Sequence, residues 1–234
     1  MKKIFILILF IYFQGYSQSI KATYVSTVIK SIGKVSENLS NTIKPKTFTY
    51  SYSNKKSVYE FIPVQKSSID TSYIEHDGRK FETYNQVILP TIDITFKDLK
   101  NNALRKEYNV NNKYFSAKDK LTDYEWTIID ETTTVLGYKC KKATTKKSLA
   151  LITAWYCEEI PINDGPGEFW GLPGLILKVE LGGYSTITLD RIKISKENNE
   201  IKEPINKSQQ LSLSEYYKSI RAHLEATNVF NKYK

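Results

Sequence analysis

The sequence predicts a mainly β fold: a large curled antiparallel sheet, half-barrel-like, built of serial hairpins, with one C-terminal α-helix packed on it. Three observations predict it. Tyrosine (17) and phenylalanine (10) are abundant beside many threonines and isoleucines, side chains that suit a pleated, half-buried surface better than a helix. Strand-like runs alternate with turn signals at short intervals along most of the chain. A single segment near the C-terminus carries a helix start signal followed by apolar residues at helical spacing.

Taken in order, the chain opens with MKKIFILILFIYFQGYSQ. Lys2 and Lys3 precede an apolar run from Ile4 to Phe13, and the small residues Gly15 and Ser17 follow. This is the pattern of a secretory signal peptide cut after Ser17, and the run is shorter than the ~20 apolar residues of a membrane-spanning helix. Residues 1–17 are therefore read as a signal peptide and 18–234 as one mainly β domain. No cysteine follows the apolar run to take a lipid, so the expected location is the periplasm or the exterior.

Ser19 to about Val28 reads as a strand. KTFTYSYSNKKSVYEFIPV reads as a hairpin about Asn54-Lys55-Lys56, and SYIEHDGRKFETYN turns at Asp77-Gly78, residues that tolerate positive φ. KEYNVNNKYFS turns at Asn111-Asn112. YEWTIID, TTTVLGYKCKKATT, ALITAWYCEEI, GLILKVEL and STITLDRIKI follow as further strands. A sheet of this size must curl or close to hide its apolar face. In LSLSEYYKSIRAHLEA, Ser212 and Glu215 form a capping box and Leu211 with Tyr216 a hydrophobic staple. Tyr217, Ile220 and Leu224 then share one helical face.

The formal charge of +9 falls to +7 without Lys2 and Lys3, because residues 1–17 contain no acid. The lysines are scattered among strand-forming residues, which describes a solvated mixed-charge surface. Together with export, that argues against nucleic acid. With only His76 and His223 as imidazoles, neither near the cysteines in sequence, no metal site and no cofactor are expected.

Cys140 and Cys157, the two cysteines, lie in successive strands whose midpoint falls between Ser148 and Leu149. A hairpin centred there sets them face to face, within reach of a cross-strand disulfide, as suits an exported protein. Such a bridge would add about 3 kcal/mol by loop closure.

The stretch GPGEFWGLPGLIL, residues 165–177, joins two neighbouring strands. Leu172-Pro173-Gly174-Leu175 reads as a type II turn, with proline fixing φ and glycine taking the positive φ at the third position. A phosphate-binding loop would need a helix after it and a lysine and hydroxyl at set spacing, which are missing. There is also no G-x-S-x-G elbow.

GLPGLIL, preceded by AWYCEEIPINDGPGEFW and by LGYKCKKATT, resembles the GLPGLI family of exported Bacteroidetes proteins. The resemblance is strong from Asn112 to Lys193 and looser at both ends. It implies a family membership without an assigned activity, catalytic residue or cofactor. This chain departs from its relatives at the hairpin tip, where Lys147-Ser148-Leu149-Ala150 replaces a frequent glycine-arginine pair.

The expected function is therefore that of a cell-envelope binding or accessory factor. Trp155, Tyr156, Phe169, Trp170, Leu172 and Pro173 gather around the loop and are the candidate contacts for a lipid or peptide ligand, because curled sheets often enclose an apolar cavity with such a loop at its mouth. By architecture alone the fold resembles the half-barrel of lipoprotein carriers. Two other readings stay open: a carboxylate-based hydrolase using Glu158, Glu159, Asp164 or Glu168, and a structural or secretion-system component bound to an envelope protein. No residue is assigned as catalytic.

Overall fold

The computed structural model describes residues 18–29, 45–63, 68–87, 89–147, 150–197, 199–205 and 207–227. The expected signal peptide and residues 148–149 at the hairpin tip lie outside them. The elements are β1 (Ser19–Val28), β2 (Lys46–Ser53), β3 (Lys56–Phe61), β4 (Ser68–His76), β5 (Arg79–Val87), β6 (Ile92–Asp98), β7 (Ala103–Val110), β8 (Lys113–Asp119), β9 (Thr127–Val135), β10 (Tyr138–Lys147), β11 (Ala150–Cys157), β12 (Leu175–Leu181), β13 (Ser185–Ser195), β14 (Gln210–Leu211) and α1 (Leu213–Thr227).

Twelve strands form one sheet in the order β14-β8-β7-β6-β3-β2-β1-β13-β12-β11-β10-β9, and β4 pairs with β5 in a separate hairpin. The large sheet is open, not closed into a barrel. The fold class is as the sequence predicts, with one addition: the short β14 joins β8 in parallel, so the sheet is mixed. β1 lies at its centre, between β2 and β13.

Turn chemistry explains the hairpins. Asn54 and Lys55 have φ of 51° and 59°, Asp77 and Gly78 of 52° and 72°, and Asn111 and Asn112 of 49° and 60°. Positive φ at both central residues matches the twist of the flanking strands. One expectation fails here. TTTVLGYKCKKATT is not continuous, because Leu136 and Gly137 take φ of 49° and 83° and turn the chain between β9 and β10. Gly137 accepts this without cost, whereas Leu136 is held there against its preference.

The core is aromatic at the sheet centre. Tyr24 and Tyr50 meet edge-on at 5.8 Å, and Phe48 stacks on Tyr59 at 4.5 Å. These pack with Leu175, Leu177 and both cysteines in one cluster, while Ile152, Ala154, Tyr156, Phe169, Leu172 and Ile176 form a second. α1 starts as the sequence predicts: the Ser212 hydroxyl accepts from the Glu215 amide at 3.3 Å, and Glu215 accepts from the Ser212 amide at 3.1 Å. Its buried residue is Tyr216, against Val110, Phe115 and Ala117, with Leu213, Ile220 and Leu224 beside it. Tyr217, placed on the buried face by sequence spacing, is instead 42% exposed.

Candidate functional site

Residues 158–174 leave β11 at Cys157 and return at Leu175, its cross-strand partner. The excursion is tied back on itself by hydrogen bonds from the Gly171 amide to the Asn163 carbonyl, 3.0 Å, and from the Ile176 amide to the Asp164 carbonyl, 2.9 Å. Two tryptophans seal one side: Trp126 Nε1 donates to the Trp170 carbonyl at 2.8 Å, and Trp170 Nε1 donates to the Thr122 carbonyl at 2.6 Å.

The expected type II turn does not form. Gly174 is absent from the residues with positive φ, whereas Gly171 has φ of 95°. Glycine is needed at 174 for space, since a Cβ there would lie 2.2 Å from the Cys157 carbonyl oxygen. The motif is a place where two backbones touch, and its glycine serves that contact.

Beneath the loop lies a polar cluster that sequence reading missed. The register sets Ala22, Tyr50, Tyr59, Thr95, Lys106 and Ala117 in one cross-strand row on a single face. Lys97 stands two residues from Thr95 on that face. Asp164 and Glu168 come down onto these lysines from the loop. Lys97 Nζ meets Asp164 Oδ1 at 2.5 Å, both side chains fully buried, and donates to the carbonyls of Gly165 and Phe169 at 2.8 and 2.9 Å. Tyr50 adds a hydroxyl to Asp164 Oδ2 at 2.9 Å. Burial lowers the Lys97 pKa, and the Asp164 charge opposes that effect. The Tyr50 phenol is pushed well up by burial and by Asp164.

Lys106 makes the second attachment, to Glu168 Oε1 at 3.0 Å and to the Thr95 hydroxyl at 3.1 Å. Tyr217 of α1 donates its hydroxyl to the same Glu168 oxygen, and the Lys106 ammonium lies 5.6 Å from the Tyr217 ring centroid. Burial works against the Lys106 charge, but Glu168, Tyr216 and Asp93 outweigh it and hold the ammonium above its ordinary pKa. The pair borders a cleft of about 370 Å³ lined by Lys106, Tyr124, Ile152, Phe169, Leu181 and Tyr217 among others. Its lining is mostly apolar, with Lys106 and Glu168 as its charged members, a combination that orients an amphipathic ligand.

The expected contacts divide. Phe169 lines this cleft; Tyr156 and Leu172 are buried in the cluster behind it. Trp155 packs on the central cluster instead, with Lys142 Nζ 5.7 Å from its ring, and Pro173 is exposed. Trp170 belongs to the tryptophan seal. The carboxylates do not gather: Glu158 pairs at the surface with Lys141 at 2.8 Å, Glu159 is exposed, and Asp164 and Glu168 each face a lysine. Cys140 and Cys157 are free, buried thiols in this structure, so the expected disulfide is not formed in it. Burial pushes the Cys140 thiol up to about 11 and raises Cys157. Among the described residues no group of three or more His, Cys, Asp and Glu is placed to hold a metal, and no helix is long and apolar enough to cross a membrane.

Comparison with known proteins adds the following. Residues 145–178 match a family model described as a protein of unknown function, Porph_ging; the span contains the whole loop and part of the strands on either side. No curated protein matches the chain. Two solved structures of PNGF-II, in C2 and P21 space groups, are similar in fold, with TM-scores of 0.53 and 0.54 and identities of 19% and 20%. Each covers 87% of this chain, while this chain spans 33% of PNGF-II.

Proposed function

We propose that this chain is an exported cell-envelope protein of the GLPGLI type that binds a hydrophobic or peptidic ligand without transforming it. The observation that carries the reading is the cleft beside the loop, lined by aromatic and aliphatic side chains and by the Lys106–Glu168 pair. A catalytic carboxylate needs a reactant beside it and a tuned proton affinity. Asp164 is instead fully buried under Lys97, and Glu168 is held by Lys106 and Tyr217. Export rests on the N-terminal signal pattern, and the Bacteroidetes family on the GLPGLIL stretch with its flanks.

The disulfide belongs to the same reading. In the β10–β11 register Lys141 faces Tyr156 and Lys142 faces Trp155, and extending that register by one residue would set Cys140 opposite Cys157. The two thiols share one buried cluster. Oxidation after export would join β10 to the strand end from which the loop departs.

Native mass spectrometry of the mature chain purified from the periplasm, with and without reductant, tests both parts. A co-purifying small molecule and a mass 2 Da lower before reduction are the expected results. A chain that leaves the periplasm bare, and stays bare when offered lipids and peptides, overturns the binding reading; alkylation of both thiols without reductant overturns the bridge.

A further inference from the structure

The Lys106 side chain is only 10% exposed, yet its hydrogen bonds are incomplete. An ammonium carries three N–H donors. Two are taken, one by Glu168 Oε1 at 3.0 Å and one by the Thr95 hydroxyl at 3.1 Å. The third has no acceptor among the described residues. A buried donor without a partner is costly, and Lys106 lines the cleft, so a bound molecule reaches the ammonium from that side.

The charge around this donor is balanced. Lys106 and Glu168 are the charged residues of the lining and lie against each other, with the Tyr217 hydroxyl donating to the same Glu168 oxygen. Tyr124, Ile152, Phe169 and Leu181 supply most of the remaining lining, the Tyr124 and Phe169 rings standing 5.6 Å apart. A carboxylate placed at the spare donor would meet the Glu168 carboxylate as well as Lys106, and would leave an uncompensated negative charge in mostly apolar surroundings. An ammonium would be repelled by Lys106 itself. An uncharged carbonyl oxygen accepts the hydrogen bond and adds no charge.

We propose that the cleft binds an uncharged acyl compound, an amide or an ester, whose carbonyl oxygen accepts from Lys106 and whose apolar chain lies against Ile152, Phe169 and Leu181. This rests on the binding reading above and names its ligand class. Free fatty acids are excluded, and so are peptides that would set a charged terminus at Lys106. The cleft, about 370 Å³, is near the lower end of the ~300–1,000 Å³ typical of small-molecule pockets, which suits a single apolar chain. The Lys106–Glu168 pair is left intact in this arrangement.

Isothermal titration calorimetry on the purified mature chain at neutral pH compares decanamide, methyl decanoate, decanoic acid and acetyl-trileucine amide. Decanamide and methyl decanoate should bind, and ionised decanoic acid at least tenfold more weakly. If acetyl-trileucine amide binds more tightly than the ester, the carbonyl belongs to a peptide; if more weakly, to a lipid; either order supports the uncharged site. Glu168→Gln keeps an acceptor for Lys106 and Tyr217 but removes the negative charge. Decanoic acid should then gain at least tenfold and overtake the amide, a reversal that a merely structural role for Glu168 does not produce. Equal or tighter binding of decanoic acid by the parent chain overturns the proposal whether or not the variant folds, as does an unchanged preference in a folded Glu168→Gln chain. Both results leave the cleft standing as a binding site. Binding of no probe overturns the cleft reading as well.

Discussion

Asp164 and Glu168 lie four residues apart on one loop, and each meets a lysine from the same face of the sheet, yet their surroundings differ. The Lys97–Asp164 pair is wholly enclosed, with two loop carbonyls accepting from Lys97 and a tyrosine donating to Asp164 Oδ2. The Lys106–Glu168 pair borders open space and takes its further partner from the terminal helix. Buried charge is costly unless it is paired and hydrogen-bonded. The first pair therefore reads as a fastening for the loop, and the second as part of a surface that a ligand can use.

Substitutions sharpen this contrast. The largest effect is expected from Asp164→Ala, which strands a buried ammonium and should lower stability by about 3–5 kcal/mol, measured by urea unfolding at neutral pH. Gly174→Ala comes next, at about 1–3 kcal/mol for a forced overlap, because the new methyl falls on the Cys157 carbonyl; a thermal melt would show it. Glu168→Gln should cost less, about 1 kcal/mol for a weakened charge-assisted bond, while loosening ligand binding more than Asp164→Asn does among the molecules that stay folded. A split in the opposite direction would reverse the two assignments.

A smaller effect concerns acid stability away from the loop. Burial pushes Asp98 up, but hydrogen bonds from the Asn101 backbone and side chain, the Lys56 charge and the Lys100 amide together bring it below its ordinary value of 3.8. A depressed carboxylate contributes stability that is complete above that value and is lost as pH falls through the folded pKa. Asp98→Asn should therefore lower stability at neutral pH and flatten the fall as pH drops below the ordinary carboxylate value of 3.8, as followed by urea midpoints.

Most of the architecture was legible in the sequence because it is written locally. Asn54, Asp77-Gly78 and Asn111-Asn112 mark hairpins by their tolerance of positive φ, and Ser212 with Glu215 marks the helix start. Leu136-Gly137 escaped notice because leucine is a poor sign of a turn. The site was far less legible. In β6 the strand alternates Ile94 and Phe96 with Thr95 and Lys97, and alternation alone would turn the apolar set toward the core. Both sets are covered instead: Phe96 is 2% exposed and Lys97 0%. The loop that covers Lys97 comes from nearly seventy residues away, a separation that no local pattern records. The surplus of charge inside a strand otherwise rich in apolar residues was the available signal. Gly174 carried a second, since glycine at a close approach and glycine at a turn look alike in sequence.

If the cleft beside Lys106 and Glu168 is the binding site, filling it should abolish binding. Ala150 lines the cleft and is exposed, so Ala150→Trp should occlude the space without disturbing the core. The parent chain should retain its ligand in native mass spectrometry, and Ala150→Trp should have the same melting temperature and lose the ligand at least tenfold. Undiminished binding by a folded Ala150→Trp protein would contradict this assignment.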